Sequence, residues 1–292
     1  MERLYFIVNL LAGGGRCKKC FQEVEAALKE KGISYGVSTT QYARHATELA
    51  RSAYENGERT IIAVGGDGTI NEVASALLGT DAVMGILPFG TGNDFARAVG
   101  IPKEPSAALE VLLSRRIAPV DTGDVNGHFF INVAGFGFDV DVLLNTQRYK
   151  TRFKGMLPYL LGIVSALAHL KALPIKIHTA ERVLETDALL IAVGNGAYFG
   201  GGMMALPNAV ADDGLFDICV VRGMGLLRFL TLLPRFIKGK HIGIKQVEYF
   251  RAREAYVEGP SSCVINVDGE LYSNAPARFT LKSRAIQLIR GM

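Results

Sequence analysis

Alternation between short apolar runs and helical stretches constrains the fold of the first 120 residues more than any other feature. Such βα alternation is typical of a parallel sheet with helices on both faces. It predicts a Rossmann-like three-layer α/β domain over residues 1–122. The predicted strand and helix pairs cover residues 3–8 and 21–30, 35–39 and 46–55, 60–64 and 70–78, and 83–87 and 95–99.

The sequence pattern changes after residue 121, where apolar runs are separated by turn signals rather than by helical stretches. Val125-Asn126-Gly127 before HFFINVAGFGF indicates a β-hairpin, and further β-like runs include ALLIAVGN, LFDICVV and SCVINVDGE. Helical stretches over residues 156–172 and 226–238 interrupt them. This half is therefore predicted to be a mostly antiparallel β domain over residues 123–283.

Composition and targeting signals narrow the location and partners of the chain. A net charge of +4 over 292 residues, with no clear basic motif, argues against a nucleic-acid partner. Asn9 interrupts the N-terminal apolar run, which favours a buried strand over a signal peptide and predicts a cytoplasmic protein. Cys17 and Cys20 form a CxxC, but zinc needs more ligands, so we interpret them as ordinary helix residues.

Loops rich in glycine or hydroxyl groups follow the predicted strands of the first half. Glycine lets the backbone approach a phosphate closely, and the N–H groups at a helix start attract anions. Because such loops meet at one edge of a parallel sheet, they predict a nucleotide site. Neither GxxxxGK[ST] nor GxGxxG is present, so the predicted nucleotide site is of an uncommon type. The loops lie at residues 9–15, 39–40, 65–69 and 88–94.

Asp67 stands in the middle of the third loop, GGDGT, where a carboxylate would repel a bare phosphate. One explanation is a divalent cation, with its waters, between the carboxylate and the phosphate. The other is that Asp67 caps a helix, as Asp often does. Both explanations can hold at once.

Several motifs together carry a family resemblance that extends over essentially the whole chain. GGDGTINEV, PFGTGNDFARAVGIP, NGAYFGGGMMALPNAVADDGLFD and VDGE, in this order, resemble the bacterial lipid kinases of the diacylglycerol and sphingosine kinase superfamily, of the YegS/BmrU type. The resemblance implies an ATP-binding α/β domain beside a β-sandwich, with residues 284–292 returning to complete the first domain. It also implies an ATP- and Mg²⁺-dependent kinase of phospholipid biosynthesis that transfers the γ-phosphate to diacylglycerol or a related lipid.

The resemblance also assigns site residues. It places Glu270 as the proton acceptor with Asp268 beside it, and Asp121 against the adenine. It places Mg²⁺ on Asp213 and on the carbonyls of Val210 and Leu215, oxygen ligands that suit this ion. The positions implied for ATP are Asn9, Gly13, Thr40, Gly66, Asp67, Gly68, Thr69, Asn71, Glu72 and Thr91.

The first loop departs from the family pattern, because Leu10 stands where proline is usual and Gly14 where some members have lysine. The missing charge has three candidate replacements, Arg16, Lys18 and Lys19.

Spacing gives a further expectation for the two C-terminal acids. Asp268 and Glu270 are separated by one residue, so on an extended strand their carboxylates would face the same side. An exposed β-turn with two solvated acids is the alternative. Which of the two is the base stays open.

The lipid substrate implies contact with a membrane surface. LLRFLTLLPRFIKGKH, residues 226–241, has the pattern of a basic amphipathic helix that lies on an anionic membrane, although core packing with a basic edge explains it equally well. We expect peripheral contact at the inner face of the membrane, and the oligomeric state stays open, a homodimer included.

Two other functions compete with the lipid kinase. A NAD kinase shares GGDG, but Asn71-Glu72 directly after it favours the lipid branch. A non-catalytic nucleotide-binding regulatory protein is the other alternative, and the presence of Asp67, Asp213, Asp268 and Glu270 argues against it.

Overall fold

The computed structural model describes residues 3–150, 153, 157–273 and 275–291 of the 292-residue chain. Met156, the first residue of the helical stretch predicted over residues 156–172, lies outside the described residues. The helices are α1 Arg16–Glu30, α2 His45–Glu55, α3 Asp67–Ala76, α4 Asp94–Ala98, α5 Pro105–Ser114, α6 Phe138–Lys150, α7 Leu157–Ala168 and α8 Leu226–Ile237.

The strands are numbered in the same way, from the N-terminus. They are β1 Leu4–Val8, β2 Tyr35–Thr39, β3 Thr60–Gly65, β4 Val83–Pro88, β5 Ile117–Val125, β6 His128–Phe130, β7 Val133–Gly137, β8 Leu173–His178, β9 Val183–Gly194, β10 Phe216–Arg222, β11 Val247–Ala252, β12 Glu254–Glu258, β13 Val264–Val267, β14 Glu270–Ser273 and β15 Ala277–Ile289.

The chain divides into two units. The first comprises Met1–Thr122, Ala211–Asp213 and Lys282–Met292, and the second comprises Gly123–Val210 and Gly214–Leu281. Strands β5 and β15 each begin in one unit and end in the other.

The first unit has the three-layer α/β fold predicted from the alternating pattern. Its parallel strands lie in the order β2-β1-β3-β4, and the end of β15 pairs parallel with β4 through Gln287 and Leu288. Helix α1 packs against α5, whereas α2 packs against α3, so the sheet is covered by two helix layers. Every residue of β3 is buried, as expected for a central parallel strand.

Helix α5 was not predicted, although its start carries a clear capping signal. Glu104 is the N-cap, and its side chain accepts a hydrogen bond of 2.8 Å from the Ala107 N–H. Pro105 follows at the first helical position, where its missing N–H leaves no hydrogen bond unmade.

The second unit is the predicted antiparallel β domain. Strands follow one another in the order β14-β13-β7-β9-β8-β12-β15, and β10 pairs with both β9 and β11. The predicted hairpin at Asn126-Gly127 joins β5 to β6, and both residues have positive φ, 52° and 87°. This is the geometry that favours Asn-Gly in two-residue hairpin turns.

Burial on both faces explains why the second half of β9, ALLIAV, is apolar without a break. Ile191 and Val193 belong to one buried cluster with Phe216 of β10, whereas Leu190 and Ala192 belong to a second cluster. The second cluster contains residues of α6, α7 and α8, so helices cover one face of this sheet. Both faces of β9 are therefore buried over this stretch.

Helix α6 was also missed in the sequence. It begins immediately after Gly137, whose φ of 97° ends β7. After Gly137, apolar residues alternate with Asp139 and Asp141, which is the period of a strand, so the pattern did not indicate a helix.

Candidate functional site

Three loops of the first unit meet where β1, β3 and β4 end. The Gly90 N–H donates to the Gly65 carbonyl at 2.9 Å, and a Cβ atom on Gly90 would lie only 2.2 Å from the Cα of Gly66. A Cβ on Gly13 would lie 2.6 Å from the Phe89 carbonyl oxygen. These glycines are needed because the backbones are in direct contact.

The start of helix α3 has the properties of an anion site. Its N-cap residue, Gly66, has no side chain, and no side-chain hydrogen bond caps the helix. The first-turn N–H groups of a helix have no partner within the helix and carry the positive end of its dipole. Asn9 is joined to this turn, because its Nδ2 donates to Thr69 Oγ1 at 3.3 Å.

Asp67 caps a helix, but not its own. Its Oδ2 accepts the Asn93 N–H at 2.7 Å, and its Oδ1 accepts the Asp94 N–H at 2.8 Å. These are the first backbone groups of α4, so the carboxylate ties the third loop to the fourth. Each carboxylate oxygen can accept more than one hydrogen bond or ligand, so this cap leaves coordination capacity.

Positive side chains surround this carboxylate. Arg16 Nη2 donates to the Gly90 carbonyl at 3.4 Å, which makes Arg16 the candidate for the charge missing from the first loop. The pKa of Lys103 is lowered, first by burial and then by the charge of Arg97, while Asp94 and Asp67 oppose this effect. Lys103 is therefore close enough to both arginines and to both aspartates for their charges to change its pKa. Sequence analysis missed Arg97 and Lys103 in this role, although both follow the GTGND loop closely.

Other residues predicted for nucleotide binding have different surroundings. Both carboxylate oxygens of Glu72 accept backbone N–H groups at the start of α2, from Arg44 at 3.1 Å and Ala46 at 3.0 Å. The Thr40 N–H donates to the Val8 carbonyl at 2.9 Å. Gly68 and Thr91 are exposed, and Asn71 is half-buried. Through its two hydrogen bonds to backbone N–H groups, the Glu72 carboxylate holds the start of α2 in place.

Asp121 is fully buried in the first unit. Its Oδ1 accepts the N–H of Arg284 at 2.7 Å, at a point where β15 has a positive φ of 55°. Its own N–H donates to the Ala211 carbonyl at 2.6 Å. These bonds give Asp121 a structural task in joining three segments.

The residues predicted for the metal lie on either side of the turn before β10. Asp213 is exposed, and the neighbouring Asp212 forms an ion pair of 2.6 Å with Arg290. Val210 is exposed and Leu215 is half-buried. Within the described ranges, no three His, Cys, Asp or Glu side chains cluster as a metal site.

The predicted strand geometry of Asp268 and Glu270 is wrong. Asp268 and Gly269 are the two central residues of the β13–β14 hairpin, with φ of 48° and 95°, and Val267 pairs with Glu270 across it. Positive φ at both positions is the requirement of a type I′ turn. The two acids therefore do not share one strand face, because the chain reverses between them.

Asp268 is not a solvated acid either. Its carboxylate accepts the backbone N–H groups of Ile131 at 2.8 Å, Val133 at 2.9 Å and Asn132 at 3.2 Å. These hydrogen bonds connect the turn to the loop between β6 and β7. Hydrogen bonds to an ionised acceptor are among the stronger ones in proteins.

Glu270 is exposed at the start of β14. Its Oε2 accepts the Tyr272 hydroxyl at 2.5 Å, and the Tyr272 ring stacks on His128 with centroids 3.7 Å apart. Glu270 therefore has the accessibility that a proton acceptor needs, whereas Asp268 is engaged by the backbone.

Comparison with known proteins gives the family. Residues 3–125 match the model of the diacylglycerol kinase catalytic domain, and residues 132–290 match the YegS C-terminal NAD kinase beta sandwich-like domain. The chain belongs to the diacylglycerol kinase family. It is thus a lipid kinase, a phosphotransferase, by descent and fold.

Similar proteins extend over nearly the whole length of this diacylglycerol kinase family member. A diacylglycerol kinase of Mycobacterium tuberculosis (strain CDC 1551 / Oshkosh) is 32% identical, covering 97% of this chain and 94% of that protein. The diacylglycerol kinase of Bacillus subtilis (strain 168) is 30% identical, covering 99% and 96%. A crystal structure of a diacylglycerol kinase from Bacillus anthracis str. Sterne has 25% identity and a TM-score of 0.75, covering 99% and 97%.

The residues of the first unit fit the nucleotide that a diacylglycerol kinase family member needs. A side chain at Gly13 or Gly90 would force the loops apart, and cations lie near these loops. The available donors also fit Mg²⁺, because they are oxygens of carboxylates and backbone carbonyls. Among the described residues, no helix is long and apolar enough to cross a membrane.

Proposed function

We propose that this lipid kinase transfers the γ-phosphate of ATP, with Mg²⁺, to a hydroxyl group of diacylglycerol or a related lipid. The observation that carries the proposal is the contact between the glycine loops of the first unit, with Asp67 at its centre and Arg16, Arg97 and Lys103 around it. Phosphoryl transfer depends mainly on positioning and on neutralising charge, and this arrangement supports both.

The phosphates are assigned to the first turn of α3 and to the cations. Gly66 lets the backbone N–H groups approach the phosphates, and Thr69 with Asn9 holds this turn against the first loop. Arg16 supplies the positive charge that some family members have as a lysine at the position of Gly14. Lys103 has a lowered pKa because of burial and of Arg97, and a bound phosphate would raise this pKa by adding negative charge.

Asp67 is proposed to face a divalent cation that lies between its carboxylate and the phosphates. The magnesium site that the family resemblance implies is proposed separately, on Asp213 with the carbonyls of Val210 and Leu215. When bound, Mg²⁺ supplies positive charge that screens the phosphates from the carboxylates. Asp67 has a second task that its hydrogen bonds support, since it keeps the fourth loop against the third. Both explanations offered for Asp67 are therefore retained in the proposal.

Glu270 is proposed as the proton acceptor for the lipid hydroxyl. It is the exposed acid of the pair, and the Tyr272 hydroxyl at 2.5 Å orients one of its oxygens. Asp268 already accepts three backbone N–H groups, so its proposed role is to hold the turn.

The lipid is proposed to be reached at a membrane surface through α8. Phe229, Leu232 and Phe236 pack into the core, whereas the exposed side carries Leu227, 81% accessible, together with Leu226, Leu230 and Ile237. Its cations are also exposed, at Arg228, Arg235, Lys238 and Lys240. Apolar side chains among cations suit the boundary of an anionic bilayer.

Vesicle binding tests this surface. Replacing Arg235, Lys238 and Lys240 with Glu should reduce co-sedimentation with anionic vesicles by about tenfold or more, because each cation near such a surface contributes about 1 kcal/mol. Unchanged co-sedimentation of a folded triple variant would rule out the membrane role of α8.

The decisive assay follows labelled γ-phosphate from ATP into a panel of lipids in mixed micelles, with and without Mg²⁺. The panel contains diacylglycerol, phosphatidylglycerol, a sphingoid base and an undecaprenyl-type lipid, with NAD in a parallel reaction. Glu270→Gln should abolish transfer, and Glu181→Gln, which changes an exposed acid elsewhere in the second unit, serves as the matched control. Label in NAD alone would replace the lipid kinase with a NAD kinase, and label in no acceptor would support the regulatory alternative.

A further inference from the structure

A buried hydrogen-bond chain lies beneath the turn that precedes Glu270. Asn266 Nδ2 donates to Asp139 Oδ2 at 2.9 Å, and Asn266 Oδ1 accepts the Gly269 N–H at 2.8 Å. Asp139 and Asn266 are only 7% and 8% exposed. The carboxamide of Asn266 thus connects a buried carboxylate at the start of α6 to the backbone of the turn.

The chemistry of the two ends fixes the orientation of this carboxamide. An ionised carboxylate only accepts hydrogen bonds, and a backbone N–H only donates them. Asn266 satisfies both ends only with its NH₂ group toward Asp139 and its oxygen toward Gly269. With the carboxamide reversed, its NH₂ group would face the Gly269 N–H and its oxygen would face the carboxylate.

The burial of Asp139 is unfavourable taken by itself. Burial raises the pKa of Asp139 to about 6, and the hydrogen bond from Asn266 is the largest effect that opposes this rise. Oδ1 of Asp139 has no hydrogen-bond partner among the described residues. An apolar residue could fill the space without this penalty, but it could not orient Asn266.

We propose that Asp139 is a positioning residue, which fixes the carboxamide of Asn266 and thereby the backbone of Gly269 from which Glu270 projects. The turn is then held from two sides, by Asp268 through the β6–β7 loop and by Asp139 through Asn266. This inference rests on the proposed function, in which Glu270 accepts the proton of the lipid hydroxyl.

A residue swap tests the proposal. Asn266→Asp alone places two carboxylates side by side and should lower kcat at least tenfold, with the KM for ATP within twofold of wild type. Adding Asp139→Asn should restore kcat to within threefold, because the carboxamide then at position 139 can donate to one oxygen of the carboxylate at position 266, while the other oxygen accepts the Gly269 N–H. Asp139→Asn alone should lower kcat about twofold to fivefold, since it permits both orientations of Asn266.

Hydrogen exchange of the Gly269 amide gives a readout that does not depend on activity. We expect slow exchange in wild type and in the swapped variant, and fast exchange in Asn266→Asp. A purely structural role would lower the stability of Asn266→Asp and leave kcat per folded molecule unchanged. That result would overturn the proposal, as would a swapped variant in which slow exchange returns but kcat does not.

The controls separate this inference from the proposed function. If wild type phosphorylates a lipid and Glu270→Gln does not, an unchanged kcat in Asn266→Asp rejects only the positioning role. If wild type phosphorylates no lipid, or Glu270→Gln remains fully active, the role of Glu270 is rejected first and the role of Asp139 falls with it.

Discussion

Two of the three Asp-Gly pairs of this protein, Asp67-Gly68 and Asp268-Gly269, invite comparison because each follows a buried strand. In both, the aspartate accepts backbone N–H groups from a distant loop, two in the first unit and three in the second. The carboxylates therefore perform the same mechanical task. Each fixes a neighbouring loop where chemistry is proposed.

The backbone differs completely between the pairs. Asp67 begins helix α3, whereas Asp268 and Gly269 both have positive φ and reverse the chain. The dipeptide does not decide this outcome. INEVASALL follows the first pair and can form a helix, whereas ELYS follows the second and pairs with the preceding strand. Asp-Gly after a strand must therefore be interpreted from the segment that follows it.

The largest expected effect comes from Asp67→Ala. It removes the cap of α4 and the proposed Mg²⁺ oxygen together, so kcat/KM should fall roughly 100-fold or more, the loss that follows when reacting groups are misplaced by about 1 Å. Steady-state kinetics with varied Mg²⁺ measures the effect.

Asp67→Asn is the matched variant. It keeps one acceptor for α4 but loses the charge, so it should remain folded and should need more Mg²⁺ for half-maximal rate. An unchanged Mg²⁺ requirement would restrict Asp67 to its capping role.

Asp268→Ala should have the next largest effect, on stability rather than chemistry. Three backbone N–H groups lose an ionised acceptor and a non-Gly, non-Asx residue must adopt positive φ, so we expect a loss of about 2–4 kcal/mol in the free energy of unfolding. Denaturant unfolding measures it.

Asp268→Asn sharpens the comparison, because it converts the turn to the Asn-Gly type found at Asn126-Gly127. It should lose less stability than Asp268→Ala, since Asn tolerates positive φ. A variant of unchanged stability with no residual kcat would instead make Asp268 the base.

Gly90→Ala should act on the contact between the loops of the first unit. The new Cβ would lie 2.2 Å from the Gly66 Cα, and neither atom can move away unless the backbone of its loop moves. We expect the affinity for ATP to fall about tenfold or more, as measured by calorimetry. Gly259→Ala is the control, because its Cβ would meet only ordinary contacts at 3.4 Å and beyond.

Asp139 offers the smallest predicted effect and a contrast with both pairs, because the side-chain amide of Asn266 stabilises its carboxylate more than the neighbouring backbone amides do. Its folded pKa of about 6 lies above the ordinary value of 3.8. The folded state therefore binds more protons between these values, and stability is lost as the pH rises through about 6.

Asp139→Asn should remove this pH dependence, which corresponds to roughly 1–3 kcal/mol between about pH 4 and pH 7. Unfolding at both pH values measures it. Asp141 of the same helix also has a pKa raised by burial, but it is present in wild type and variant alike and cancels in the comparison. Equal slopes in the two proteins would show that Asp139 is not buried as described.

Much of the fold follows from local patterns. Strand β3 was predicted over residues 60–64 because a short apolar run there alternates with helical stretches, and the Asn126-Gly127 hairpin because its turn favours those residue types. Helices α5 and α6 were missed for opposite reasons. Helix α5 begins with a recognisable cap that was not used, whereas the first residues of α6 alternate with Asp139 and Asp141 in the period of a strand.

The candidate site was predictable only in part. The motifs indicated Asp67, Asp268 and Glu270, but not what their carboxylates contact. Arg97 and Lys103 carry no pattern that distinguishes them from surface cations, and only packing places them near Asp67. Asp139 and Asn266 are 127 residues apart, so no local spacing could connect them.

Three features could be recognised without a structure: the different sequence patterns of the two halves, the glycine loops and the acidic residues of the family. Each depends on residues that are close together along the chain. Folding in three dimensions was needed to decide which acid is solvated and which is held by backbone amides. It also decided that Asp67 caps the helix after its own. Such assignments depend on hydrogen bonds between segments far apart in sequence, and those bonds exist only once the chain has folded.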